Sequence, residues 1–212
     1  FDTTGFKTTI AAEAGAFDAE HYFERKDARR MDRCTQLALV AANEAMEHSG
    51  LVIEPDGPLA PRAGAVIGVG FGGMATLIEE VRVLDERGPG RVSPIGIPKI
   101  IANMPAGTVS IEHNLMGPVS CAVTACSASA NAIGDAAEVI RRGAADIMVA
   151  GGAEALRRNP FAACYINVTS GLVANLTASR VSAERIRKLR LFARDSYFSI
   201  DYADQSVSSA QL

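Results

Sequence analysis

Tryptophan is absent from this 212-residue sequence, and aromatic residues make up only 6% of it. Surplus positive charge is absent too: 21 Lys and Arg face 24 Asp and Glu, a net charge of −3. Few aromatics and no basic excess argue against a nucleic-acid partner. Cysteine is sparse. Cys34, Cys121, Cys126 and Cys164 form no C-x-x-C and no metal-ligand spacing with His21, His48 and His113. So few cysteines in a chain this long do not make a disulfide scaffold, and a reducing cytoplasm is the expected location. No stretch of 18 uninterrupted strongly apolar residues occurs, so no membrane span is expected. The sequence opens FDTTGFKTTI, without Met and without a charged segment leading into an apolar one. We expect no secretory leader there, and a segment of something longer. No internal repeat of 20–50 residues is visible.

What is present reads as a globular α/β protein. Apolar residues make up 48% and charged residues 21%, near globular averages. Residues 32–49 have helical spacing, with Leu37, Val40, Ala41 and Ala45 on one face and Gly50 as a stop. Residues 64–69 (GAVIGV) read as a buried strand. Gly70-Phe71-Gly72-Gly73 then turns the chain into a helix over 74–87. Helical turns are expected around 99–103 and 106–113, and strand character over 119–124. A helix over 131–142, starting near Ser127, precedes a buried strand at 146–150 that Gly151-Gly152 ends. Strands alternating with helices imply a layered α/β sheet. The tail differs. Residues 165–168 and 172–176 read as a hairpin turned at Ser170-Gly171, 182–191 is basic, and 197–201 alternates like a strand.

Cys126, in VTACSAS, is the sharpest chemical candidate. A thiol where a strand enters a helix meets unpaired N–H groups that stabilise thiolate and hold an oxyanion. Its small neighbours leave room for a substrate. The alternative is an inert buried cysteine. Gly68–Gly73 spells G-x-G-x-x-G after a strand, the dinucleotide-binding context. No acidic strand end follows about 20 residues on, so a tight strand-to-helix turn is the favoured reading. Lys26, Arg29 and Arg30 stand at i, i+3, i+4 and, with Arg25, offer either an acidic-partner surface or an ordinary solvated face. The run Arg185, Arg187, Lys188 and Arg190 lacks interleaved aromatics. Asn167 and Asn175 head glycosylation sequons in a chain with no sign of secretion.

Residues 1 to about 155 resemble the β-ketoacyl-acyl-carrier-protein synthase II family. The matching segments are FDTTGF, RKDARRMDR, VIGVGFGGMATLIEE, GPGRVSPIGIPKIIANMPAG and GPVSCAVTACSASANAIGDAAEVIRRGAADIMVAGGAEA. The resemblance implies a thiolase-like α/β fold, two similar halves in five αβαβα layers, here an incomplete N-terminal half followed by a short α+β tail. It implies condensation of an acyl thioester with a malonyl thioester on acyl carrier protein, with loss of carbon dioxide, in fatty acid biosynthesis. It makes Cys126 the acyl-accepting nucleophile and its N–H one oxyanion donor. Lys26, Arg29 and Arg30 match the surface that receives the acidic carrier protein. Residues 119–124 match the strand that pairs across a homodimer, and 91–103 part of the acyl-pocket wall. No cofactor or metal is called for.

Two catalytic histidines, a lysine and a second oxyanion donor belong to a half of the family sequence that is not matched here. His21, His48 and His113 stand in no matching motif, so none is assigned a catalytic role. Acylation of Cys126 is the step expected to survive. A family strand preceding FDT is also unmatched, and its loss from the sheet interior is expected to leave backbone groups unpaired. Exposed edges then favour association, with an isolated monomer of marginal stability. From about residue 158, GLVANLTASRVSAERIRKLRLFARDSYFSIDY resembles the C-terminal domain of Gfo/Idh/MocA oxidoreductases, without that family's nucleotide domain or lysine motif. This divides the chain at 157/158. Two rival functions remain: a non-catalytic carrier-binding or dimerising remnant, and a fragment of a nicotinamide-dependent oxidoreductase.

Overall fold

The fold was read from a computed structural model, which describes residues 17–155 with their side chains and five later strands by their backbones. Residues 1–16, with the FDTTGF segment, and Arg185 lie outside the described residues. A 3-10 turn at Ala19–His21 leads to α1 (Arg25–Ala28) and α2 (Arg33–Ser49). Asp32 caps α2, its side chain accepting from Cys34 N, and Gly50 closes the helix at φ 67°. A loop and a second 3-10 turn lead into β1 (Ala63–Gly68), then α3 (Met74–Arg87), α4 (Gly96–Ile100) and α5 (Met104–Glu112). β2 (Val119–Ser120), α6 (Ala128–Arg141) and β3 (Ile147–Ala153) complete the alternation.

One sheet has the order β2-β1-β3-β4, where β4 is Cys164–Ser170. β1 runs parallel to both β2 and β3, and β4 is antiparallel to β3. The β1–β3 register runs from Ala63 opposite Ile147 to Gly68 opposite Gly152. Both long strands therefore have a neighbour on each side. Among the described residues β1 and β3 ladder directly onto each other, while β2 pairs with β1 only at Ala65 and Val66.

The two-residue period of the strands divides the core in two. Ala63, Ala65, Ile67, Ile147 and Val149 pack with α2 and α5 through Leu37, Ala38, Ala42, Met46 and Val109. Val66, Met148 and Ala150 pack with α6 through Ala132, Ile133, Ala136 and Val139. Ile67, Val109 and Val149 are fully buried. Each stabilises by about 1.5–3 kcal/mol over leaving it exposed. On α2, Leu37 and Val40 are buried as expected, together with Ala38, Ala42 and Met46, while Ala41 and Ala45 are only half-buried.

Two glycine positions explain why α6 sits where it does. A Cβ on Gly68 would stand 2.2 Å from the Ala128 carbonyl oxygen, and one on Gly152 would stand 2.9 Å from Ser129 Cβ. β3 therefore runs straight through Gly151 and Gly152 to Ala153. The strand thus extends past the end expected at Gly151-Gly152. The glycines are the floor on which the first turn of α6 rests.

The tail also departs from expectation. β4 and β5 (Leu172–Ser179) are not a hairpin: β4 belongs to the first sheet, while β5 opens a second. That sheet is wholly antiparallel, in the order β5, β6 (Ile186–Ala193), β7 (Ser196–Asp201) and β8 (Ser206–Gln211). No helix of the described residues is long and apolar enough to cross a membrane.

Candidate active site

The C-terminal ends of the parallel strands carry the candidate site, as is general for open α/β sheets. After β2 the chain leaves the ladder, keeping one bond from Val69 N to Ala122 O at 2.9 Å. The expected strand over 119–124 is thus cut to two residues, since the chain must bend toward α6. The bend is a 3-10 turn, Ala125–Ser127, with Cys126 at its centre. Ala125 has φ 51°, a left-handed conformation. For a residue with a Cβ that costs about 1–2 kcal/mol.

Local bonds hold the bend. Ser127 Oγ donates to Thr124 O at 2.8 Å, and Asn131 Nδ2 donates to Thr124 Oγ1 at 2.9 Å. Cys126 is exposed. Cys34 is buried and donates its thiol to Ala153 O at 3.2 Å. Cys121 is half-buried, donates to Ala102 O at 3.1 Å, and burial pushes its thiol pKa up. Of these three thiols, Cys126 alone is open to a large reagent. Nearby, Ser129 Oγ is buried without a hydrogen-bond partner.

The glycine turn after β1 is filled by the protein itself. Phe71 N donates to Glu154 Oε2 at 2.6 Å, and Gly73 N donates to Ile100 O at 3.0 Å. A Cβ on Gly73 would stand 2.2 Å from Lys99 O. A carboxylate and a carbonyl thus take the amides that a phosphate would need. The turn brings α3 up to Asp32, whose Oδ2 accepts from Thr76 Oγ1 at 2.6 Å and from Thr76 N at 3.3 Å. Sequence reading missed Glu154, Asp32 and Thr76 as partners of this region. A lone acid after Gly-Gly-Ala carried no motif, and the only local signal was Asp32 ahead of a helix.

The basic group lies elsewhere. Lys26, Arg29 and Arg30 are exposed on α1 and the turn that follows it. Arg25 pairs with Glu20 at 3.5 Å and Arg30 with Asp27 at 3.9 Å. Among the histidines, His21 lies 4.0 Å from Asp18 and His48 is exposed. His113 Nε2 sits 2.8 Å from Asn43 Oδ1, and burial lowers its pKa. The structure brings none of the three into hydrogen-bonding contact with Cys126.

Comparison with known proteins fits this geometry. Residues 2–184 match the family model described as "Beta-ketoacyl synthase, N-terminal domain". The chain belongs to the β-ketoacyl synthase family. It is 43% identical over 154 residues to 3-oxoacyl-[acyl-carrier-protein] synthase 2 of Staphylococcus aureus, covering 73% of this chain and 38% of that one. The enzyme of the same name from Vibrio cholerae is 44% identical over 154 residues, covering 73% and 37%. The chain thus spans less than two-fifths of these relatives.

Solved structures agree. A type II polyketide acyl-carrier protein in complex with its ketosynthase aligns with TM-score 0.61 and 28% identity, over 68% of this chain and 41% of that one. A β-ketoacyl synthase from Burkholderia phymatum aligns with TM-score 0.60 and 28% identity, over 70% and 36%. The α/β sheet described above is accordingly the thiolase-like arrangement of ketosynthases. The family match continues to residue 184, past the division expected at 157/158.

Proposed function

We propose that this chain carries the acyl-accepting part of a 3-oxoacyl-acyl-carrier-protein synthase of fatty acid biosynthesis, with Cys126 as the nucleophile. The observation that carries the reading is the exposed thiol on a strained bend at the C-terminal end of the parallel sheet. Its sulfur attacks the carbonyl carbon of an acyl thioester on acyl carrier protein. The carbonyl π electrons move to oxygen, and the Cys126 N–H is the proposed donor to that oxyanion. Collapse breaks the bond to the carrier sulfur, which leaves as a thiol with the proton that Cys126 gave up. The acyl group stays on Cys126. The condensation with a malonyl thioester that follows in the family needs the catalytic histidines of the unmatched half. Acylation is therefore the step proposed for this chain, and His21, His48 and His113 have no role in it.

Lys26, Arg29 and Arg30 are the proposed carrier-protein contacts. Their exposure supports this, and charge steering favours encounter with an acidic partner. A homodimer through β2 is proposed because β2 is the edge of its sheet and Val119 is exposed. Residues 91–103 are proposed as pocket wall, with Ile97 and Ile101 exposed. The cytoplasm is the proposed location. For the tail we keep a division at 157/158 and the likeness to Gfo/Idh/MocA C-terminal domains as proposals. The separate antiparallel sheet β5–β8 supports a distinct unit, but one that starts after β4, which joins the first sheet. Nicotinamide binding is not part of the proposal, because the amides of the glycine turn are taken by Glu154 and Ile100.

The test is transfer of a medium-chain acyl group from acyl carrier protein. We expect one hydroxylamine-labile acyl adduct on the Cys126 peptide, lost in Cys126→Ala. Absence of any adduct on the folded protein would overturn the reading.

A further inference from the structure

Two carboxylates from distant parts of the chain hold the segment that follows β1. Asp32, at the start of α2, takes Thr76. Glu154, just past β3, takes the Phe71 amide at 2.6 Å and is also bonded by Ala155 N at 3.1 Å through its other oxygen. Asp32 is 3% exposed, whereas Glu154 is only half-buried. Glu154 is thus the releasable half of the clamp. Gly70 admits it: a Cβ there would stand 2.7 Å from Glu154 Oε2.

The clamped turn is coupled to the thiol. β1 feeds the turn, and Val69 N bonds Ala122 O in the loop that leads to Cys126. Gly68 and Gly152, register partners in β1 and β3 near the Phe71–Glu154 contact, form the floor of the first turn of α6. Gly72 and Gly73 are buried, and Gly73 N is held by Ile100 O. Phe71 itself is 63% exposed, so its side chain adds little to holding the first half of the turn, where its amide bond to Glu154 is the tie. A charged acceptor roughly doubles the strength of such a bond.

We propose that Glu154 is a positioning residue for the Cys126 site: its carboxylate fills the anion position of the glycine turn and sets that turn against the thiol loop. The inference rests on the reading of Cys126 as acyl acceptor, but its test does not require acyl transfer. When Glu154 is removed, the turn loosens, the Val69–Ala122 bond weakens, and the strained Ala125 bend relaxes. The thiol then leaves its presented position.

The experiment uses the full chain with Glu154→Ala and Glu154→Gln. The readouts are hydrogen exchange at the Phe71 amide and the rate of Cys126 alkylation by iodoacetamide. In Glu154→Ala, Phe71 exchange is expected to rise about tenfold, as loss of one charge-assisted bond implies. Alkylation is expected to slow about threefold or more, and sodium acetate, but not sodium chloride at equal strength, restores both. Glu154→Gln keeps an acceptor oxygen, so its values lie between those of Glu154→Ala and the unaltered chain. It also serves if the alanine variant does not fold. Exchange at Phe71 within twofold of the unaltered chain overturns the proposal. So does alkylation at an unchanged rate, which would leave Glu154 a purely structural contact. Failure of acyl transfer in the unaltered chain would count against the function of Cys126, and not against this contact.

Discussion

Asp32 and Thr76, 44 positions apart, meet at 2.6 Å, so one buried carboxylate serves the first turns of both α2 and α3. Each helix start presents unsatisfied N–H groups and a positive dipole end, which makes a shared anion favourable. Asp32→Ala leaves Cys34 N and the Thr76 groups without their partner. We expect a loss of about 2–4 kcal/mol in urea unfolding, the sum of a lost cap and unmet buried bonds. Asp32→Asn, which keeps an acceptor, should lose about half as much. Equal midpoints for Asp32→Ala and the unaltered chain would refute the shared cap.

Thiol accessibility gives a second prediction. Cys34 and Cys121 are held by backbone carbonyls, and burial raises the Cys121 pKa. Among the three, Cys126 should react with a maleimide in native buffer while the other two wait for denaturant. Mass mapping reads this directly, and early labelling of Cys121 would count against it.

His113 sets a pH dependence. Burial holds its folded-state pKa below the ordinary 6.5, opposed by Glu112. The unfolded chain therefore takes up a proton at higher pH than the folded one. Its contribution is full above about 6.5 and is lost as pH falls from there to the lower folded value. Melting points measured from pH 8 to 5 should decline over this window, and His113→Gln should flatten the decline. An identical slope in the variant would contradict the assignment.

The Arg62–Asp146 pair is bidentate, at 2.7 and 3.0 Å, and Arg62 also donates to Gly143 O at 2.9 Å. A side-chain bond to Arg62 lowers the Asp146 pKa. Its stabilisation is present above the ordinary carboxylate value and is lost as pH falls through the lowered one. The pair is solvent-exposed, so Arg62→Ala should lower the melting point only slightly, and less at high salt. A large salt-independent loss would mean that the link to Gly143 matters more than the ion pair.

Much of the α/β core was legible because its signals are local. The α2 start and stop lie in Asp32 and Gly50, and the α3 bounds at Met74 and Arg87 follow Gly70–Gly73 and precede Gly88. Cys126 was legible from a thiol among small residues where a strand meets a helix. What stayed hidden depends on contacts across the chain. Gly151 and Gly152 read as a strand end, but both are strand residues, and Gly152 is kept small by Ser129 of α6. Glu154 meets Phe71 across 83 positions, and no spacing rule reaches that far. Ser170 and Gly171 look like a hairpin turn, yet the flanking strands join different sheets.

The α3 face adds a prediction about assembly. Leu77, Ile78, Val81 and Leu84 are exposed by 39–55%, and α3 buries no residue. An apolar stripe of this kind favours association. Light scattering should find species above monomer mass, reduced by Val81→Glu with Leu84→Glu. A monomer with a sharp, reversible melt would contradict this.

The central claim is that Cys126 sits in a working nucleophile site. Its most direct test is intact-mass labelling with cerulenin, a covalent ketosynthase inhibitor, followed by peptide mapping. The account predicts one adduct per chain, on Cys126 alone, and none in Cys126→Ala. A folded chain that takes up no cerulenin, or takes it up equally at Cys121, would contradict it.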